Sequence, residues 1–354
     1  MKTNTKLIIK TAIVVMLLLV FQGITFAQEE EEKAAPLEIS GSVDVYYRAN
    51  LNATNDGDVG APAPTSSFAN RPGFSLGMAN LVLSKSGEKT GFVADFVFGP
   101  RGEDAVFGSP LNTTLNGVPG GSSQIINQLY AYWNVSDVTT LTIGNFNTFL
   151  GYEVISPTAN FNYSTSYMFS YGPFSHTGVK ADFAFGDFSL MTAIMNTTDA
   201  TEFSPDGQYF GGVQLGYGGA YLNFLFDDDF FQADLTAGWD LSDTFYFGVN
   251  ATTASDNFYG GAVYLQNSFS DDFSMGIRGE YFSDEGVGAL PGLGDTVAES
   301  VIDLTLTANA TVGDLTFIPE LRIDIYDEDV IVPDTGESPT GSLASFVLAA
   351  VYAF

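Results

Sequence analysis

From Leu37 to Leu51 the apolar positions fall on every second residue. Leu37, Ile39, Gly41, Val43, Val45, Tyr47, Ala49 and Leu51 share one face of an extended chain, and Glu38, Ser40, Ser42, Asp44, Tyr46, Arg48 and Asn50 share the other. A period of two with so polar a second face predicts a half-wet β-strand. The pattern returns at the far end of the chain. Ile302, Leu304, Leu306, Ala308 and Ala310 oppose Asp303, Thr305, Thr307 and Asn309, and Leu315, Phe317, Pro319, Leu321, Ile323 and Ile325 oppose Thr316, Glu320, Arg322 and Asp324. In the last segment Phe346, Leu348, Ala350, Tyr352 and Phe354 line up on one side. Two stretches, 74–83 and 188–196, give no clear parity.

The connections alternate in length. Very short turns rich in Gly, Asp and Ser occur at Ser86-Gly87-Glu88, Ser136-Asp137, Gly186-Asp187, Gly218-Gly219, Ser242-Asp243, Ser270-Asp271-Asp272 and Gly313-Asp314. Between them lie longer connections near 52–70, 101–121, 147–175, 198–208, 253–257, 283–298 and 326–340, with one short one at Asp227 to Asp229. Seven turns and eight longer connections predict about sixteen strands in an all-β, transmembrane, antiparallel up-and-down β-barrel spanning 37–354. Pairing of the first and last strands would cover the aromatic edge after Ser342, and the apolar stripes would face lipid. A secreted sandwich or propeller shares the short strands, but its inner face would be apolar. Tyr46, Tyr47, Tyr130, Tyr132, Trp133, Tyr209, Tyr217, Phe230, Phe231, Trp239, Tyr259, Tyr281 and Tyr352 are read as interfacial girdles.

Composition sharpens this reading. The chain carries 12 Lys and Arg against 42 Asp and Glu, a formal net charge of −30, which argues against nucleic acid as a partner. There is no cysteine, so disulfides, thiolate metal sites, a thiol nucleophile and a lipidated Cys are excluded. Lys2, Lys6 and Lys10, the apolar run Ala12 to Phe21 and the small-residue step Thr25-Phe26-Ala27 read as an export signal over residues 1–27. Residues 28–36, opening with Glu29 to Glu32, read as an acidic periplasmic lead-in. An even strand number then puts both termini in the periplasm, with the barrel in the outer membrane of a Gram-negative bacterium.

A barrel of this size encloses water unless something fills it. Parity assigns Asp44, Arg48, Asp95, Lys180, Asp182, Asp234, Arg278, Glu280, Glu320, Arg322 and Asp324 to the pore lining, where acids outnumber bases and predict a weak cation preference. The longest connection, Asn147 to Ser175, is too aromatic to stand in open water and is expected to fold into the lumen or onto the rim as a constriction loop. Its candidate residues are Tyr152, Glu153, Phe161, Tyr163 and Tyr167, with His176 at its return. A catalytic pairing of His176 with Ser164 or Ser166 lacks a nucleophile-elbow pattern, so no enzymatic role is assigned. The acidic clusters at Asp227, Asp271 and Asp327 lack calcium-loop spacing, so neither metal nor cofactor is assigned.

The stretch from Leu129 to Lys180 carries Ile143-Gly144-Asn145-Phe146, Gly151-Tyr152-Glu153, Asn160-Phe161-Asn162-Tyr163-Ser164 and Pro173-Phe174-Ser175-His176-Thr177-Gly178. In these it resembles the OmpL-like putative β-barrel porin family. The resemblance implies an outer-membrane porin and transfers no functional residues. The apolar stripe ending at Tyr352 and Phe354 likewise resembles the assembly signal of bacterial outer-membrane barrels, implying the barrel-assembly machinery, lipid and lipopolysaccharide as partners and leaving room for a homotrimer. The expected function is passive diffusion of small hydrophilic solutes. The alternatives are a substrate-specific or hydrophobic-compound transporter, or a non-conducting barrel acting as adhesin or enzyme.

Overall fold

The computed structural model describes residues 35–107, 111–115, 118–121, 124–202, 204, 207–334 and 337–354. The export signal and most of the acidic lead-in lie outside them. Sixteen antiparallel strands close a single barrel. In chain order they are β1 (Glu38–Asn50), β2 (Gly73–Ser86), β3 (Thr90–Phe98), β4 (Ile126–Ser136), β5 (Thr139–Asn147), β6 (Ser175–Phe185), β7 (Phe188–Met195) and β8 (Phe210–Tyr217). The second half comprises β9 (Ala220–Phe226), β10 (Phe231–Asp240), β11 (Phe245–Ala254), β12 (Phe258–Ser270), β13 (Phe273–Asp284), β14 (Ser300–Val312), β15 (Leu315–Tyr326) and β16 (Ser342–Ala353).

Each strand pairs with its sequence neighbour, and closure comes from β1 on β16, in register from Ser42↔Ala353 to Asn50↔Ser345. Gly41 and Phe354 exchange both backbone hydrogen bonds at 3.0 Å. The terminal strand therefore has no free edge. The seven short turns gather at one rim together with the start of β1 and the end of β16, and the long connections gather at the other.

The outer face is apolar because the period-two stripes point there. Val43, Val45, Ile302, Leu304, Leu306, Leu321, Ile323, Leu348 and Tyr352 are all exposed on it. So continuous an apolar belt would aggregate in water and suits hydrocarbon. The unclear parity over 74–83 has a cause: the register between β1 and β2 slips between Val43↔Ala79 and Val45↔Leu76. This bulge lets Phe74 and Leu76, and again Ala79 and Leu81, face outward across an interrupted alternation. Gly77 permits the slip, since a Cβ there would overlap the Asp44 carboxylate, which accepts from Met78 N at 3.0 Å. Of the aromatics read as girdle residues, Tyr209, Tyr217, Phe231, Trp239, Tyr259, Tyr281 and Tyr352 are exposed. Tyr46, Tyr130 and Tyr132 instead face the interior: Tyr46 donates no lipid contact and stacks obliquely on Tyr163, while Tyr130 and Tyr132 border a water-accessible chamber.

Candidate functional site

The connection between β5 and β6 dives into the barrel and is held there by its own backbone. Around its short helix α1 (Tyr167–Tyr171), Ser166 caps the N-terminus by accepting from Phe169 N at 3.1 Å. The leading amides then face carboxylates. Ser166 N donates to Glu153 at 2.7 Å, and Tyr167 N and Met168 N both donate to Glu280 at 2.8 Å. One turn earlier, Tyr163 N and Ser164 N donate to Glu320 at 3.0 and 3.3 Å. The carbonyls meet cations: Ser164 O accepts from Arg278 at 2.7 Å and Thr165 O from Arg322 at 2.9 Å. Loop backbone removed from water must find partners. Here the strand wall, together with Glu153 of the loop itself, supplies them as charges, the stronger class of hydrogen bond.

Those charges also pair with one another. Arg278 reaches Glu153 and Asp303 at 2.7 Å each, and Arg322 reaches Asp324 at 2.7 Å and Asp303 at 3.4 Å. Arg278, Asp303 and Asp324 are fully buried. The loop's phenols complete the lattice: Tyr163 OH donates to Asp44 at 2.5 Å and Tyr167 OH to Asp324 at 2.9 Å. Burial, then the adjacent carboxylate, holds both phenols well above their ordinary pKa, so both remain donors. Burial and the Tyr246 hydroxyl do the same to Tyr152. Arg101, in the short helical segment Pro100–Ala105 that follows β3, also holds the loop: it donates to Ile155 O at 3.0 Å and Tyr163 O at 3.2 Å.

All eleven residues assigned to the lining belong to the barrel wall, but the inserted loop divides them. Asp44, Arg48, Arg278, Glu280, Glu320, Arg322 and Asp324 are buried on the β1 and β13–β15 side, where protein fills the lumen. Asp95 is buried among Asn80, Asn127 and Gln128, and Asp234 among Asn223, Asn250 and the Gly151 amide. Lys180 and Asp182 border an open chamber, paired with each other at 2.8 Å. Reading parity as water contact thus fails for the other nine: the inserted loop meets Asp44, Asp234, Arg278, Glu280, Glu320, Arg322 and Asp324, while Arg48 meets Asn50 and Pro62 O, and Asp95 meets amides of the neighbouring strands. Of the loop residues, Tyr152, Glu153 and Phe161 border a smaller chamber of about 460 Å³, and Tyr163 and Tyr167 are buried. His176 is fully buried on β6 with Nε2 3.0 Å from Thr148 Oγ1. No serine pairs with it: the Ser166 hydroxyl is engaged by Phe169 N. Tyr352 and Phe354 lie exposed at the short-turn rim. Among the described residues no group of three or more His, Cys, Asp or Glu side chains could hold a metal.

Open space survives on the opposite side. A chamber of about 700 Å³ runs along the inner face of β4–β6, bordered by Gln128, Tyr130, Tyr132, Asn134, Thr142 and Phe149. It shares Thr148, Phe149 and Gln214 with a chamber of about 530 Å³ that reaches β10 and β11. A separate chamber of about 690 Å³ opens at the long-loop rim, bordered by Phe174, Phe210, Leu225 and Asp199 among others.

A closed barrel, greasy outside and partly wet inside, has known relatives. The family model of Putative beta-barrel porin-2, OmpL-like, matches residues 36–354. The chain belongs to this family. Among solved structures, Pseudomonas putida OprB aligns with TM-score 0.61 at 10% identity, covering 90% of this chain and 94% of that one. The outer membrane channel DcaP of Acinetobacter baumannii aligns with TM-score 0.56 at 13% identity, covering 93% and 100%. OmpT of Vibrio cholerae in its trimer form aligns with TM-score 0.52 at 10% identity, covering 91% and 100%. At such identities these likenesses show the fold. No curated protein sequence matches. As a member of a porin family with a porin-like barrel, the chain is an outer-membrane protein.

Sequence reasoning left several site residues of this porin-family barrel unassigned. Asp303 shares the inward parity of Thr305 and Thr307, so parity could have found it. Arg101 lies in a segment without period, and nothing local distinguishes it. Met191, Met195, Phe210 and Leu225 are apolar yet buried inside the barrel, and the doubtful parity of 188–196 was the trace of the two methionines.

Proposed function

We propose that this protein is a solute channel of the outer membrane, passing small hydrophilic solutes passively through the half of the lumen that the inserted loop leaves open. The observation that carries this reading is the pair of joined chambers beside the loop, within a closed barrel whose outer face suits lipid. The short-turn rim, with both barrel ends, is assigned to the periplasm, as short turns are in such barrels.

A weak cation preference belongs to the same proposal, with a different origin from a charged pore wall. Most wall charges are buried against one another or against amides and hydroxyls, whereas Asp271, Asp272, Asp327, Glu328 and Asp329 stand exposed at the two mouths of a strongly acidic chain. Charges at a mouth act through solvent and are screened over about 10 Å at 0.1 M salt and about 3 Å at 1 M. Planar-bilayer recordings in a KCl gradient test both parts. Discrete current steps with a reversal potential on the cation side at 0.1 M, shrinking toward zero at 1 M, are expected. Anion preference would contradict the charge argument, and an absence of steps would contradict the channel. The trimer form of Vibrio cholerae OmpT supports a homotrimer here too, to be checked by the mass of the unheated protein in detergent. Lipopolysaccharide and the barrel-assembly machinery are the partners that an outer-membrane barrel of this kind would meet.

A further inference from the structure

Inward positions on β7, β8 and β9 depart from the polar pattern of the wall. Met195, Phe210 and Leu225 are buried there and form one apolar cluster with Leu150 of the inserted loop, against which Phe149 and Phe230 pack. Phe149 and Met195 meet over Gly212, where a Cβ would stand 2.8 Å from Phe149 Cζ and 2.9 Å from Met195 Cε. The missing side chain is what lets the phenyl ring lie directly on the wall.

This cluster stands between the described chambers. Phe149 and Leu150 border the joined chambers on the short-turn side, Phe210 and Leu225 border the chamber at the long-loop rim, and among the described residues these chambers share no lining residue. It is also fixed in place. Gln214 Nε2 donates to Phe149 O at 3.2 Å, and Gly151 N donates to Asp234 at 3.0 Å, so the wall holds the loop on both flanks of Leu150.

Resting on the channel reading above, we propose that this apolar partition is the channel's specificity filter: it favours uncharged solutes that combine hydroxyl groups with an aromatic or other flat apolar face. An inorganic ion must shed hydration that Met195, Phe210 and Leu225 cannot replace, and apolar constrictions resist wetting. A bare sugar loses hydroxyl partners at the same point. An aromatic ring gains contact with Phe149 and Phe210 there, and its attached hydroxyls meet Gln128, Asn134 and Gln214 on the short-turn side.

Proteoliposomes provide the test, with p-nitrophenyl glucoside as the probe and glucose as its smaller comparator. Entrapped β-glucosidase reports entry of the first by nitrophenolate colour, and entrapped glucose oxidase reports the second, each corrected for protein-free vesicles. The glycoside is expected to enter about fivefold faster, the ratio that one added aromatic contact supplies. Equal entry, or faster glucose, would overturn the filter. Phe149→Ser and Leu225→Asn, each checked for folding by its heat-dependent gel mobility, should bring the ratio toward one and enlarge the KCl current steps. A ratio unchanged in folded variants would also overturn it. Large KCl steps with equal solute entry would sink the filter alone, whereas no steps and no entry in any form would sink the channel reading with it.

Discussion

Replacing Arg278 by Met should unseat the inserted loop. Its guanidinium holds Glu153 at 2.7 Å, Asp303 at 2.7 Å and the Ser164 carbonyl at 2.7 Å, with no solvent exposure. Met preserves much of the apolar stem and removes the charge. Asp303 keeps Arg322 at 3.4 Å and Thr305 at 2.6 Å, but Glu153 is left with the Ser166 amide and a long contact to Tyr264, and the Ser164 carbonyl loses its donor. Breaking a buried pair from one side costs about 3–5 kcal/mol. Most of that cost is avoided if the loop lifts and Glu153 returns to water. At about 1.4 kcal/mol per tenfold, the unseated fraction rises by about two to three and a half orders of magnitude, up to the point where the loop is mostly free. Ser164→Cys reports the seating. The Ser164 hydroxyl is buried without a partner, and the chain has no other cysteine, so a thiol there is a nearly silent and unique label. Modification by a membrane-impermeant thiol reagent should be slow in the Ser164→Cys protein and at least about tenfold faster when Arg278→Met is added, as local opening sets the rate. An unchanged rate in a folded double variant would refute the claim that this arginine holds the loop.

Tyr163→Phe removes the hydroxyl that donates to Asp44 at 2.5 Å and leaves that carboxylate with the Met78 amide, so a loss of about 1–3 kcal/mol should appear in the thermal unfolding midpoint. Asp199, in the connection after β7, accepts from Phe174 N and Ser175 N at 2.8 Å where the inserted loop rejoins the wall, and burial raises its pKa from 3.8 to about 6. The folded state therefore binds this proton more tightly than the unfolded chain, so its contribution is fully present below pH 3.8 and is lost as pH rises to about 6. Asp199→Asn, tolerated at φ 62°, should flatten that part of the stability profile; an identical profile in wild type and variant would contradict the assignment.

The strand count was readable because most spans repeat one local signal, a period of two, and the short turns that join them carry Gly, Asp or Ser. Outward stripes such as Ile302, Leu304 and Leu306 need no knowledge of distant residues. The bulge at Gly77 was visible only as a fault in the alternation, since its cause, the Asp44 carboxylate, sits on the neighbouring strand. The seating of the loop was hidden for the same reason in stronger form. Glu280 caps Tyr167 and Met168, and Glu320 holds Tyr163 and Ser164, across more than a hundred residues of sequence. Parity tells which side of the wall a carboxylate occupies. It does not tell whether water or a loop amide meets it there.

That distinction changes what the charges do. Had Arg278, Glu280, Asp303, Glu320, Arg322 and Asp324 faced water, they would form a charged pore wall acting directly on ions. Pressed against loop backbone, they satisfy one another and the amides and carbonyls of 163–168, and they are buried from solvent. The cost of burying so many charges is offset only while each keeps its partners, so the network tolerates few alternative loop positions and specifies one. Selectivity is then displaced to the other half of the lumen, where the same loop presents Phe149 and Leu150 to the apolar face of β7–β9. One segment thus does two jobs with opposite chemistry: its backbone, fixed by charges, closes one side of the barrel, and that fixation positions the apolar side chains at its start across the side left open.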